Sequence, residues 1–320
     1  MHPPKKYLIL ILISYLIIGF FTSCSKTTTT TTTSPTNYYK TENVIIIVMD
    51  GARYSETWGE PTHSLIPSIA NNIAPKGVIN NNFRNNGTTS TSPGHLAICS
   101  GQYYNLNNGG GQLPPFPTMF QYFNEKYPTK NSWIITSKDK LEVLANTSHT
   151  SYNNLHLPNT NCGINGMGSG YRADDITLNV VLNVFNTQHP NLTLINFREP
   201  DFTAHSNDSI GYIKQISNVD SLINIIFNFV ENDSIYNGTT SIFITNDHGR
   251  HDNLNGGFAG HGDSCEGCRH LLFCAYGPDF KENVVINTPR EQIDIAVTIA
   301  EILSFNLPNT NGQIMQELFK

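Results

Sequence analysis

Residues Asn43–Met49 read NVIIIVM, a nearly unbroken apolar run rich in β-branched side chains. A run of that length predicts a strand buried on both faces, so other elements must cover it on either side. Similar runs occur at Trp133–Thr136, Leu192–Phe197, Ser241–Thr245 and Leu271–Tyr276. Between them lie helical stripes. Ala173–Phe185 carries Ile176, Leu178, Val180, Val181, Val184 and Phe185. Ile210–Val230 carries Ile213, Ile216, Val219, Leu222 and Ile226 at about 3.6-residue spacing, and Ile293–Ile302 is a third stripe. Strands alternating with helices predict an α/β fold: a largely parallel central sheet with helices on both faces. The Asn-, Gly- and Pro-rich stretches Gly101–Pro117 and Ser148–Gly170 predict long loops over an active face. No linker or fixed-period repeat divides residues 40–320, which are expected to form one domain.

The N-terminus reads differently. Lys5 and Lys6 precede an apolar stretch, Tyr7–Phe21, that falls short of the roughly 20 residues of a comfortable membrane span. Thr22-Ser23-Cys24 follows, and small residues directly before a cysteine resemble the lipobox of bacterial lipoproteins. Residues 1–23 are therefore expected to be a signal peptide, with Cys24 the lipidated mature N-terminus. Residues 24–39, dominated by the run Thr27–Thr33, have no apolar periodicity and predict a tether. A lipid and a tether would place the domain in the bacterial cell envelope, periplasmic or at the cell surface.

Charge excludes one class of partner. The chain has 19 basic and 25 acidic side chains, a net −6, with no Lys/Arg stripe. Binding to a nucleic-acid duplex would call for the opposite balance. Of six cysteines, Cys24 is assigned to lipid, and the odd remainder leaves at least one thiol unpaired within a monomer. Cys265 and Cys268 form C-x-x-C, which suits a tight disulfide in an oxidising compartment. A zinc knuckle would require a second pair at similar spacing, which the sequence does not have.

In parallel α/β sheets ligands bind beyond the carboxyl ends of the strands. Asp50 directly follows the first strand, Asp201 follows Leu192–Phe197, and Asp247-His248 follows Ser241–Thr245. Asp201 and His205 stand four apart, and His261 sits in the Gly-rich Gly260-His261-Gly262-Asp263, an unlikely place for a core-filling ring. Singly each has a plain alternative, a cap or a turn. Together they supply carboxylates and imidazoles, the mixture that suits zinc-like divalent cations. Ser90-Thr91-Ser92-Pro93 carries a helix-start signal. A hydroxyl there would face free backbone N–H groups and the positive end of a helix, a setting that favours an incoming phosphate or sulfate.

The ordered set MDG (Met49–Gly51), TSPGH (Thr91–His95), PDFTAH (Pro200–His205), NDHGR (Asn246–Arg250) and GHGDS (Gly260–Ser264) resembles the alkaline phosphatase superfamily, nearest its nucleotide pyrophosphatase/phosphodiesterase branch. The resemblance implies an alkaline-phosphatase-like sandwich holding two divalent metals, expected to be zinc. One metal would take Asp50, Thr91, Asp247 and His248; the other Asp201, His205 and His261. It implies Thr91 as nucleophile, with Ser90 or Ser92 as fallbacks, because Ser92 and Gly94 stand where the family usually has an aromatic residue and Asn. An Asn beyond the nucleophile helix binds phosphoryl oxygen in many members; Asn105, Asn107 and Asn108 are candidates, and Asn107 is the assignment made on sequence. Asp263 or Asp252 could orient a ligand histidine, although a solvated loop Asp is the plainer reading of each. The expected function is metal-dependent hydrolysis of small phosphate esters, of phosphodiesterase type.

Alternatives within the superfamily differ in their motifs. Formylglycine sulfatases need C-x-P-x-R or S-x-P-x-R, and Thr91–His95 has no such Arg. Phosphoglycerol and phosphoethanolamine transferases usually carry several membrane helices. A phosphomonoesterase, or another phospho- or sulfo-ester hydrolase, remains compatible. From another class, a binding lipoprotein could have kept the fold and lost catalysis.

Overall fold

The NVIIIVM run is the strand β1 (Asn43–Met49), every residue of it buried. Side chains alternate across a strand, and here the two sets enter two different cores. Val44, Ile46 and Val48 face one apolar cluster, while Ile45, Ile47 and Met49 face the other. The molecule is described here from a computed structural model, over residues 39–320 and Met1. The expected signal peptide, the Cys24 lipidation site and nearly all of the tether lie outside the described residues. The described residues 39–320 gather into one compact unit.

In chain order the strands are β1, β2 (Gly77–Asn80), β3 (Phe83–Arg84), β4 (Ser132–Thr136), β5 (Asn159–Cys162), β6 (Leu192–Phe197), β7 (Thr240–Thr245), β8 (His270–Leu271), β9 (Phe273–Tyr276), β10 (Val284–Ile286) and β11 (Arg290–Glu291). Eight of them form the central sheet in the order β10-β2-β9-β7-β1-β6-β4-β5, and β11-β3-β8 make a small second sheet. From β7 to β5 every pairing is parallel; β9 runs antiparallel to both β7 and β2.

The helices are α1 (Thr91–Ser100), α2 (Met119–Lys126), α3 (Asp174–Gln188), α4 (Asp201–Ala204), α5 (Ser209–Asn232), α6 (Glu266–Arg269) and α7 (Ile293–Ile302). Leu96 and Ile98 of α1, Phe120 and Phe123 of α2, and Ile295 and Ile299 of α7 cover one face. Val181 and Phe185 of α3 and Ile216, Ile223 and Ile226 of α5 cover the other. The helix–sheet–helix sandwich expected from the sequence is the architecture found.

Three local expectations differ. The apolar run Leu271–Tyr276 is divided: Leu271 closes the small sheet, and β9 begins at Phe273. Within the expected loop Ser148–Gly170 lies the edge strand β5, sequence NTNC, with three of its four residues exposed or half-buried. Its register on β4 is made by backbone pairing, so no apolar pattern announces it. The short strands β2 and β10 were likewise not expected.

Candidate metal centre

Three central strands deliver acidic and imidazole side chains to one edge of the sheet. Asp50 follows β1, and its neighbour β7 ends before Asp247 and His248. Beyond β6 the chain turns into α4, which begins with Asp201. Strand register therefore brings together residues nearly two hundred positions apart. The Gly51 N–H donates to Asp247 Oδ1 at 3.2 Å, and the Asp201 N–H donates to the Asp50 carbonyl at 3.0 Å.

Asp50, Asp247 and His248 are completely buried. His248 Nδ1 lies 2.8 Å from the Gly249 carbonyl, which fixes the proton there and leaves Nε2 as a bare lone pair. That Nε2 stands 3.5 Å from Asp247 Oδ2 and 3.7 Å from Asp50 Oδ1. Neither His248 Nε2 nor Asp247 Oδ2 has a hydrogen-bond partner. Buried polar atoms without partners are costly, and two of them facing each other define a place for a cation. Burial pushes the His248 pKa down to about 3, against the pull of Asp247, so the ring is neutral and able to ligate. His95 is not equivalent. Its Nδ1 lies 2.8 Å from the Thr91 carbonyl and 3.3 Å from Asp247 Oδ2, and its Nε2 lies 3.2 Å from Asn196 Nδ2, so it holds the first turn of α1 against the donor set.

The second donor set is more open. Asp201 Oδ1, His205 Nε2 and His261 Nε2 lie 3.2–3.6 Å from one another. His261 Nδ1 is held at 2.9 Å by the Thr89 carbonyl, again turning Nε2 inward. Asp201 is almost fully buried, whereas about half of the His205 side chain is exposed. The two groups adjoin each other: His248 also lies within reach of Asp201 and His261, and His95 within reach of Asp50 and Asp247, and carboxylates and imidazoles so gathered suit divalent cations.

Thr91, at the first position of α1, is buried, and its Oγ1 lies 3.2 Å from Lys138 Nζ. The approach of α1 to the metal centre is very close. A Cβ on Gly94 would lie 2.3 Å from the Asp247 carbonyl oxygen, so only glycine lets the helix come this near.

Sequence reasoning missed three basic residues. Lys138, buried just beyond β4, donates to Asp50 Oδ1 at 2.8 Å and to Asp201 Oδ2 at 2.7 Å. Burial alone would lower its pKa, but Asp201, Asp50 and Asp247 outweigh that and raise it above the ordinary lysine value. Burial likewise opposes ionisation of Asp201, yet Lys138 and its neighbours hold that carboxyl well below the usual range. Arg250 binds Asp201 Oδ1 and the carbonyls of Phe258 and Ala259, tying the loop that leads to His261 to the second donor set. Lys140 Nζ lies 3.1 Å from Asn108 Oδ1, and burial with Lys138 nearby pushes its pKa down to about 8. The signal was available: Lys138 follows a strand end just as Asp50 does.

The three Asn candidates separate cleanly. Asn108 Oδ1 accepts the Ser92 N–H at 2.8 Å, at the start of α1. Asn107 folds its side chain onto the Gly109 N–H within its own exposed loop, and Asn105 accepts from Thr88. The structure brings Asn108, and not Asn107, to the start of α1.

Comparison with known proteins agrees with this architecture. Residues 76–307 match the family model described as Metalloenzyme superfamily, and the chain belongs to that family. A curated relative, the 2,3-bisphosphoglycerate-independent phosphoglycerate mutase of Haloquadratum walsbyi, is 27% identical over 124 residues; the match covers 38% of this chain but only 23% of that protein. Murine ectonucleotide pyrophosphatase/phosphodiesterase 5 superposes with a TM-score of 0.61 at 14% identity, covering 87% of this chain and 100% of the other. The phosphonate monoester hydrolase SpPMH from Silicibacter pomeroyi gives 0.60 at 15% identity, covering 86% and 76%. BT4656, solved with D-glucosamine-2-N,6-O-disulfate, gives 0.63 at 12% identity, covering 86% and 79%. At these identities the structural likeness speaks for the fold, which is that of the alkaline phosphatase superfamily.

Proposed function

We propose that the chain is a metal-dependent phosphoester hydrolase of phosphodiesterase type, in which Thr91 Oγ1 is the nucleophile. The observation that carries this reading is the environment of Thr91. It opens a ten-residue helix, its hydroxyl touches a buried ammonium, and that ammonium also bridges carboxylates of both donor sets. Asp50, Asp247 and His248 beside Thr91 would hold one divalent cation, and Asp201, His205 and His261 a second; zinc suits the mixed carboxylate–imidazole donors. Such cations would supply Lewis-acid polarisation of the phosphoryl group and lower the pKa of a coordinated hydroxyl or water.

The remaining work falls to the chain itself. Lys138, kept protonated by its carboxylates, cannot accept the Thr91 proton; it orients the hydroxyl and favours negative charge on Oγ1. The positive end of α1, where the Ser92 N–H is already held by Asn108, would face the phosphoryl oxygens together with the Lys140 ammonium. A specific observation favours a second reading, a phosphomonoesterase: Lys140 adds positive charge beside the nucleophile, which a dianionic monoester would use more fully than a monoanionic diester.

Turnover of nitrophenyl mono- and diesters by wild-type and Thr91→Ala protein, with rapid-quench trapping of a phosphoenzyme, tests the assignment. Diester turnover lost in Thr91→Ala and label on Thr91 are the expected results. Label on Ser90 or Ser92, or undiminished turnover in the variant, would overturn the role of Thr91. A strong preference for the monoester selects the second reading. Anchoring through a lipid on Cys24 in the bacterial envelope is part of the same proposal. It is supported by the basic, apolar, small-residue-Cys order, and mass spectrometry of the mature N-terminus tests it.

A further inference from the structure

A second cluster of ligand-type side chains lies in the segment 251–268, apart from the two donor sets. Cys265 caps the start of the short helix α6 and Cys268 lies within it, and both thiols are free. Sequence reasoning set aside a metal here because no second Cys pair exists. The fold supplies the missing pair from other residue types. His251 Nδ1 lies 3.4 Å from Cys268 Sγ, 3.8 Å from Cys265 Sγ and 3.1 Å from Asp263 Oδ2. One donor atom from each of the four residues falls within 4.8 Å of all the others. Bond lengths of about 2.0–2.3 Å in a tetrahedron put neighbouring N, O and S ligands on the order of 3.3–3.8 Å apart, close to the spacing observed.

The surroundings hold these groups in that arrangement. Asp263 Oδ1 accepts the Cys265 N–H at 2.9 Å, which aims Oδ2 at the cluster. The Gly249 N–H donates to the Cys268 carbonyl at 2.9 Å, and the His251 N–H donates to the Gly260 carbonyl at 2.9 Å. A Cβ at Gly260 would come within 2.6 Å of the His251 ring, so only glycine leaves the imidazole its place.

We propose that His251, Asp263, Cys265 and Cys268 form a structural zinc site that clasps the loop carrying His261. The donor set is closed, with no place left for substrate, as structural zinc sites are. Binding forms two Zn–S bonds, one Zn–N bond and one Zn–O bond, and releases the two thiol protons to solvent. Its consequence for the metal centre is mechanical: residues 251 and 268 are fastened together, and His261 lies between them.

The test uses the full chain and a readout that the donor sets at Thr91 cannot give, because they contain no sulfur. X-ray absorption at the zinc edge of the zinc-loaded chain should show a sulfur shell near 2.3 Å. Cobalt substitution should give the intense near-ultraviolet absorption of thiolate-to-cobalt charge transfer. Cys265→Ser and Cys268→Ser should each abolish that absorption and bind one equivalent of metal fewer. Asp201→Ala and Thr91→Ala should keep it, whether or not the proposed hydrolysis proves correct. A sulfur-free zinc environment, or a Cys265–Cys268 disulfide in the protein as isolated, would overturn the site even if the serine variants failed to fold.

Discussion

The two donor sets of the metal centre are built in opposite ways. Asp50, Asp247 and His248 sit at the ends of adjacent central strands, fully buried, on backbone that sheet neighbours fix on both sides. Asp201, His205 and His261 belong to a four-residue helix, its cap and a Gly-rich loop, and half of His205 is open to solvent. The first set is positioned by the fold itself. The second depends on props: Lys138 and Arg250 on Asp201, the Thr89 carbonyl on His261, and Asp174 beneath the segment that leads into α4. The difference teaches that a sheet edge needs little further support to present ligands, whereas irregular loop backbone must be tied at several points to do the same.

Lys138 is the one side chain shared by both sets, so removing it probes the comparison most severely. Lys138→Met leaves the Asp50 and Asp201 carboxylates buried without their common counter-ion, and should cost about 3–5 kcal/mol in metal-free protein. Divalent metal should recover much of that loss, since a cation meets the same carboxylates. Urea unfolding with and without chelator measures both; an equal loss in the two conditions would mean the ammonium and the cations do not share ligands.

Asp247→Ala strikes the rigid set. A fall in kcat of about 10²–10³-fold is expected from losing transition-state charge stabilisation, with the fold retained by circular dichroism. Wild-type turnover would place the chemistry elsewhere.

Asp174 tests the props of the second set. It accepts the Arg198 and Glu199 N–H groups and the Ser137 hydroxyl, yet burial outweighs those bonds and raises its pKa from 3.8 to about 6. A folded-state pKa above the unfolded one means that this carboxyl's contribution is present below about pH 4 and is lost as pH rises through about 6. The loss is on the order of 3 kcal/mol. Asp174→Asn should flatten that part of the stability–pH curve, measured by denaturant unfolding from pH 4 to 7. An unchanged slope would remove Asp174 from the account.

The smallest effect is expected from Arg250→Lys, which cannot reproduce a planar guanidinium reaching one carboxylate and two carbonyls. Metal affinity of the second set should fall about 10–100-fold, while the first set keeps its own. Calorimetric titration resolves the two, and equal weakening of both would erase the distinction between them.

Much of this was legible in the sequence because a strand that ends in Asp states both its burial and the direction of its next side chain. Asp50, Asp247, His248 and Asp201 follow from that rule together with five ordered motifs, and all are found at one edge. Lys138 obeys the same rule but was passed over, because a lysine is rarely expected inside a core. Asn108 could not be separated from Asn105 and Asn107, since the turn that decides which of three near-adjacent amides reaches α1 has no periodicity. The edge strand β5 escaped notice because its stability lies in backbone pairing with β4 rather than in apolar side chains.

The sequence by itself determined the layered α/β architecture and the identities of the ligand-type residues, because apolar periodicity and strand-end chemistry are local properties. Only the tertiary structure decided which of those residues meet. Lys138 is drawn between Asp50 and Asp201, and His251 and Asp263 are carried to Cys265 and Cys268. These contacts form between segments whose approach is set by strand register, glycine clearance and the packing of helices on the sheet, none of which is written in the spacing of the residues themselves.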